Sequence, residues 1–424
     1  MQRLEQSVEI LIEDLTEDGK GVAKADGFVI FVEGATLGDT CEAEITKVKK
    51  NLAFAKAKKI LKKSDKRKPA GEQCPHLTDC GGCPYGLLKY QDQLDLKQKQ
   101  VQDKLTRIGK LNNPKVANII GMPKHRGYRN KAVFHAKCHR LSFPGVDTDE
   151  TLSEKPLKVE MGFYSPKTHS IVDVKGCQII PEEMDELLEF AKDNIKSDCT
   201  VTIKASKTTG DAMVVFQYPK EMVIAGGDTI LDEMNIAGQE MKFEISPTAF
   251  YQVNPVQTVK LYEKVLEYLD LKGDEKILDI YCGVGTIGLV CAKVMAAKNG
   301  SGKVLGIESV KEAVLDANRN ATINYIVNAE YIQGKAEEKL EEIKEFNGDV
   351  AILDPPRAGC DQKLLETIAK AGIPKICYVS CNPATLARDI RFLEDNSYRF
   401  VEATPVDMFP ETGHVECVTL LEKK

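Results

Sequence analysis

Residues 276–288 read KILDIYCGVGTIG, and the order of events within them sets the fold. An apolar strand-like run over 276–282 breaks at Gly283 and Gly285 into a tight turn, which opens directly onto the helical pattern of 286–297. The alternation then repeats. Short apolar strands are expected at 303–308, 330–333, 349–354 and 375–380, with helices at 311–323, 335–346, 362–371 and 384–395 between them. Two more strands, near 399–403 and 415–421, close the chain. Such alternation requires a parallel sheet covered on both faces. The fold class is therefore α/β, with a Rossmann-like C-terminal domain built on a seven-stranded sheet.

Working outward, the first sixty residues differ in kind. Val8, Ile10 and Ile12 alternate, Asp26-Gly27 signals a hairpin, and glycines at 19, 21, 27, 34 and 38 cut the segment into pieces too short for helices. A small β-barrel is expected there. Residues 62–71 are polar, end near Pro69, and read as a linker. Leu87, Leu94, Val101, Leu105 and Ile108 share one helical face before Gly109. The middle of the chain is mixed, with strands expected at 131–137, 159–164, 201–204 and 212–217, and a polar acidic loop at 147–158.

Composition narrows the function. The chain has 424 residues, 42% hydrophobic and 29% charged, ordinary for a soluble protein of two to four domains. No apolar run approaches the ~18 residues of a membrane span, and the first six residues lack the apolar core of a signal peptide. A cytoplasmic protein with no membrane partner is expected. Thirteen cysteines, an odd number, argue against a disulfide framework and for metal or thiolate chemistry. The net charge is −6, yet residues 47–68 hold eleven Lys or Arg against the single acid Asp65. That segment is either a solvated face or a patch for a polyanion, whose bound counterions each contacting cation would release.

The glycine loop is a ligand site by its chemistry. Gly283, Gly285 and Gly288 let a ligand approach the backbone, the helix start favours an anionic group, and Glu308 at the end of the next strand can accept ribose hydroxyls. Either a nicotinamide dinucleotide or S-adenosylmethionine satisfies these terms. Asp354-Pro355-Pro356-Arg357 follows the fourth strand, where two prolines stiffen a carbonyl-lined turn. Acid-Pro-Pro at this place resembles the base-binding site of nucleic-acid methyltransferases. Cys381 ends the fifth strand, immediately before Asn382, a good N-cap, and Pro383, suited to the first helical position. The helix dipole is expected to lower its thiol pKa and make it a nucleophile, whereas Cys282, Cys291 and Cys377 read as core residues. Glu416 opens the last strand as a candidate base, with His414 its rival. A separate set, Cys74, Cys80, Cys83 and Cys177, could hold zinc or an iron–sulfur cluster, and Cys138 could compete as a ligand.

Together these residues resemble the RNA uridine-C5 methyltransferase family, in particular its bacterial 23S ribosomal RNA members, over nearly the whole chain. Ser246–Pro255 (SPTAFYQVNP) resembles the segment entering that family's catalytic domain, and Tyr128-Arg-Asn-Lys131 an element of its central domain, with Arg129 as an RNA contact. The resemblance implies three parts. These are an OB-like TRAM RNA-binding β-barrel over 1–62, an α+β central iron–sulfur and RNA-binding domain over 63–238, and a class I methyltransferase domain over 239–424. It allows the helix at 87–109 to dock on the last of these. It implies that Gln252, Tyr281, Glu308 and Asp354, with Gly283 and Gly285, contact S-adenosylmethionine, that Cys381 is the nucleophile and Glu416 the base. It further implies a [4Fe-4S] cluster on Cys74, Cys80, Cys83 and Cys177. The partner would be 23S rRNA, free or in an assembling large subunit, met by a monomer. Rival readings are a tRNA uridine-C5 methyltransferase, an amino-group methyltransferase acting through Asp354-Pro-Pro, and a non-catalytic RNA-binding assembly factor.

Overall fold

The computed structural model describes residues 7–140, 157–166, 168–173 and 175–424. The acidic stretch 147–158 lies outside these but for its last two residues, which open a strand, and the first six residues also lie outside.

The N-terminal strands Ser7–Leu11 to Leu52–Lys62 form one six-stranded sheet. Its core follows from alternation: Phe28, Ile30 and Val32 point inward along one strand, Cys41 and Ala43 along another. Asp26 and Gly27, both at positive φ (48° and 80°), make the tight hairpin their sequence promised. The core is completed from outside the sheet by Tyr85, Leu88 and Leu96. The segment expected as a linker is instead anchored. Asp39, fully buried, accepts from the Ser64 N–H and the Arg67 guanidinium, and buried Lys68 pairs with Glu411 at 2.5 Å. Fixed charge partners replace the freedom that its polar composition suggested.

A second six-stranded antiparallel sheet follows, with Lys131–Arg140 near its middle between Cys199–Ala205 and Leu157–Tyr164. One face carries Phe134, Val201 and Ile203 against helix Asp185–Asn194, which contributes Leu188 and Ala191. The hairpin Ile230–Ile236 and Gln239–Ile245 then leads to helix Pro255–Leu269, capped by Asn254, whose side chain accepts from the Gln257 N–H at 3.2 Å.

The C-terminal sheet has seven strands: β1 (Lys276–Ile280), β2 (Lys303–Glu308), β3 (Ala329–Gln333), β4 (Val350–Leu353), β5 (Lys375–Ser380), β6 (Tyr398–Val406) and β7 (Glu416–Lys423), in the order β3-β2-β1-β4-β5-β7-β6. The first five are parallel, and β7 runs antiparallel between β5 and β6. The strands are apolar on both sides, as a sheet buried on both faces demands. One face packs helices Pro255–Leu269, Thr286–Ala297 and Lys311–Ile323. The other packs helices Gln362–Ala371 and Pro383–Asp395, together with helix Tyr90–Arg107 from far upstream, which inserts Val101 and Leu105. Among the described residues no helix is long and apolar enough to cross a membrane.

Candidate active site

Parallel strands bring their carboxyl ends to one edge, and there a cleft of about 640 Å³ opens. Tyr281 and Gly283 enter it after β1, Glu308 from the end of β2, Asp354 after β4, Cys381 after β5 and Glu416 from the start of β7. Because β7 is antiparallel, its first residue lies where its neighbours end. Ser380 pairs with Cys417, so the register carries Cys381 to the position facing Glu416. Gln252 joins the wall from the segment before helix Pro255–Leu269, its carbonyl accepting from the Asn130 amide at 3.0 Å.

The three glycines of the loop divide their labour. Gly283, at φ 55°, lines the cleft and donates its N–H to Glu308 Oε2 at 3.0 Å. The other Glu308 oxygen accepts from the Val310 N–H (2.8 Å) and the Ser309 hydroxyl (3.1 Å), so the carboxylate is held at the cleft rim. Gly285 does not line the cleft. At φ 82° it caps helix Thr286–Ala297, and a Cβ there would meet the Tyr331 ring at 2.9 Å. Gly288 sits against Asp279, whose Oδ2 accepts its N–H at 2.9 Å. The first glycine lines the cleft, while the other two serve turn and packing.

Cys381 is half-buried at the cleft rather than sealed in the core, whereas Cys282, Cys291 and Cys377 are core residues. Its thiol departs from the sequence expectation. Burial, then the carboxyls of Glu416 and Asp354, push it up to about 12, with Arg357 and a backbone N–H opposing. Burial, joined by two acids arriving on other strands, sets this thiol above its ordinary value although a helix begins two residues later. The same crowding acts on the acids. Burial and Asp354 raise Glu416 to about 8, against Arg357, and burial and Asp279 raise Asp354 to about 7. Asp279 itself is raised to about 7 by burial, and its Oδ1 has no hydrogen-bond partner. The cleft thus holds protons on closely spaced acids, and two exposed cations line it: Lys335 and Arg357, the latter quoted in the sequence but given no role there. Its backbone is pinned: the Arg357 carbonyl accepts from the Asn382 amide (3.0 Å) and the Thr385 hydroxyl (3.2 Å). Asp354-Pro-Pro-Arg357 is thereby tied to the helix that follows Cys381.

His414 does not line the cleft. Its ring packs edge-on against Phe409, and burial followed by Arg357 depresses its pKa. It belongs to a loop, residues 407–414, on which every part of the chain converges. Lys97, wholly buried, pairs with Asp407 at 2.5 Å, and Tyr90 donates to the same carboxylate at 2.8 Å. Glu411, at φ 73°, accepts from Lys68 and Gln93, while its carbonyl receives the Tyr85 N–H. Gly413 admits no side chain, since a Cβ would lie 2.1 Å from the carbonyl oxygen of Glu17. Arg129 is half-buried beside the Tyr128 ring, with an unpartnered Nε.

Cys74, Cys80, Cys83 and Cys177 come into one neighbourhood although a hundred residues separate the first and last. Burial, then Cys177, Glu411, Cys74 and Cys80, raise the Cys83 thiol, and burial, Cys74 and Cys80 likewise raise Cys177. Cys80 Sγ accepts from the Gly82 N–H at 3.4 Å, and the N–H groups of Ile179 and Ile180 face Cys177. Four neighbouring thiols, two of them (Cys80 and Cys177) met by backbone donors, suit a thiolate-bound centre. As they stand, no three His, Cys, Asp or Glu among the described residues are gathered tightly enough to hold an ion. Cys138 stands apart, beside Asp198 and Cys199.

Comparison with known proteins agrees with this geometry. Residues 202–424 match the family model described as tRNA (Uracil-5-)-methyltransferase, and residues 3–58 match the TRAM domain. An uncharacterised RNA methyltransferase of Bacillus cereus is 37% identical, with 98% of this chain and 96% of that protein covered. One from Clostridium tetani is 36% identical over 95% of this chain and 93% of its own length. Among solved structures, the tRNA (uracil-54, C5)-methyltransferase of Pyrococcus abyssi, in complex with S-adenosyl-L-homocysteine, superposes with a TM-score of 0.69 at 26% identity. That likeness covers 98% of this chain and 100% of the other.

Proposed function

Since the chain belongs to the tRNA (uracil-5-)-methyltransferase family of S-adenosylmethionine-dependent RNA methyltransferases, we propose that it methylates C5 of uridine in 23S rRNA through Cys381 and Glu416. The observation that carries this reading is that a thiol and a buried carboxyl face each other in the cleft that the glycine loop opens. Carbon 5 of uracil is too weak a nucleophile to attack a sulfonium methyl unaided. Addition of the Cys381 sulfur to C6 makes an enolate, and C5 becomes the attacking carbon. After transfer, Glu416 removes the C5 proton, and collapse of the enolate expels the sulfur. Bound S-adenosylmethionine supplies the methyl group and a positive charge. Gln252, Tyr281, Gly283, Glu308 and Asp354 are assigned to hold it; Gly285 acts on it only through the turn.

The protonation states give the sequence of events a physical reason. Without a cationic ligand in the cleft, burial first of all holds the Cys381 proton on, and charge on Glu416 or Asp354 adds to it. A cationic ligand favours the ionised forms of the acids and of the thiol, so the charge of the methyl donor helps to unmask the nucleophile.

Within this reading the parts divide as 1–62 and 63–238 for RNA and 239–424 for chemistry. Cys74, Cys80, Cys83 and Cys177 hold a [4Fe-4S] cluster that cross-links residues 74–83 to the central sheet. Protein purified without oxygen should carry about four irons per chain; stoichiometric zinc without iron would overturn the assignment.

A tRNA target is the second reading, favoured by the substrate of the Pyrococcus structure. Two RNAs separate them. Ribosomal RNA and tRNA carrying 5-fluorouridine, which cannot lose fluorine as a proton, should be offered to the full-length protein. Trapping of rRNA as an adduct stable to denaturation, absent in Cys381→Ala, is expected. Trapping of tRNA alone rejects the ribosomal assignment, and equal trapping by Cys381→Ala rejects the nucleophile.

A further inference from the structure

The central sheet is covered unequally. One face is sealed by helix Asp185–Asn194. On the other, alternate residues of strand Lys131–Arg140 are Lys131, Val133, His135, Lys137 and His139, spaced about 6.7 Å apart. At its near end this face is closed by the cleft wall. Lys204, directly opposite Lys131, reaches under that wall and donates to the carbonyls of Ser246 (2.9 Å) and Ala249 (3.0 Å). Among the described residues, the cover thins beyond Val133. Val133 is 40% exposed and Tyr164 38%, and Phe250 on the cleft wall is 64% exposed.

The uncovered part is organised. The His135 and Tyr164 rings are stacked, with centroids 4.1 Å apart and planes 22° off parallel, and Lys137 Nζ lies 6.0 Å from the Tyr164 centroid. The acid on this stretch, Glu160 opposite Lys137, is matched by Lys158 at 2.9 Å and His139 at 3.4 Å. Stacked rings, one exposed and one half-buried, flanked by lysines and leading from a cleft, are a stacking platform with cations for a backbone. A duplex hides its bases from such a surface, whereas a single strand presents them.

We propose that this face binds single-stranded RNA flanking the target uridine, with one unpaired base stacked on the His135–Tyr164 pair and a phosphate on Lys137. The proposal rests on the reading of the chain as an RNA uridine methyltransferase and names the segment of substrate held outside the cleft. It gives a physical use to Lys131–Arg140 as a track from Gln252, beside which Asn130 is fixed, toward the far edge of the sheet.

The test uses full-length protein and a labelled single-stranded oligouridylate of about twelve nucleotides. His135→Ala combined with Tyr164→Ala should weaken binding about tenfold. Tyr164→Phe, which keeps the ring, should bind as wild type does, and a duplex of equal length should compete poorly. Lys137→Ala should lower the slope of log affinity against log salt by about one. Unchanged affinity in the double variant, equal competition by the duplex, or no binding by wild type overturns the proposal. Methylation by wild type is assayed separately. Normal methylation with an unaffected double variant sinks this proposal alone. No methylation of any uridine, with oligonucleotide binding still lost in the double variant, sinks the functional reading alone.

Discussion

At the scale of single residues, the cleft is a proton store. Glu416 is raised to about 8, whereas an unfolded chain would release that proton near pH 4.5. A raised carboxyl contributes stability that is complete below about pH 4.5 and is lost as pH rises toward 8. Glu416→Gln carries no such penalty, because its amide never ionises. In the absence of ligand, the thermal midpoint of Glu416→Gln minus that of wild type should therefore climb between pH 4.5 and 8. A difference that stays flat across that range would show that Glu416 ionises in the folded chain as easily as in water. The sequence pointed to Cys381 and Glu416 but misjudged the thiol, because a helix terminus is legible from neighbours in sequence, whereas burial and two carboxyls arriving on other strands are not. Arg357, quoted with Asp354-Pro-Pro, received no role for the same reason: an arginine after two prolines has no periodicity to mark it.

Elements were the most legible scale. The expected bounds of β2 (Lys303–Glu308) and β5 (Lys375–Ser380), and of helices Thr286–Ala297, Lys311–Ile323 and Gln362–Ala371, coincide with those observed, since each is set by local apolar spacing and a clear stop. Helix Pro255–Leu269 was missed, although Asn254-Pro255 repeats the cap signal of Asn382-Pro383. The glycine pattern misled in one respect, since a spacing motif does not separate a glycine that meets a ligand from one that meets a ring. The difference is testable. Gly285→Ala must place a Cβ against Tyr331 at a left-handed φ, so it should cost about 1–3 kcal/mol of stability and lower activity by displacing the turn. If its denaturation midpoint and S-adenosylmethionine affinity equal those of wild type, the packing role assigned to Gly285 is wrong.

At the scale of the whole molecule, little could be read ahead, because the contacts that join the parts span hundreds of residues. Nothing in the sequence near Lys97 announces Asp407, and nothing near Lys68 announces Glu411. These cations carry the assembly. Removing one partner of a fully buried pair strands the other charge, so Lys97→Met should cost about 3–5 kcal/mol, and adding Asp407→Asn should return much of it. Equal urea midpoints for the single variant and wild type would show that the pair is dispensable. Lys66, Arg67 and Lys68, counted from sequence toward a polyanion patch, are similarly committed to Asp92, Asp39 and Glu411, which narrows the patch to the exposed lysines between 47 and 63.

The N-terminal sheet borrows Tyr85, Leu88 and Leu96 to fill its interior, and Leu96 sits on the helix whose Val101 and Leu105 are buried against the catalytic sheet. One rod therefore plugs two cores. The barrel is no detachable cassette: trimming it away would leave a tyrosine and two leucines facing water, and grafting it elsewhere would require carrying the rod along. Under the proposed function, the spacing between the N-terminal sheet and Cys381 is therefore set by shared packing through that helix rather than by a tether.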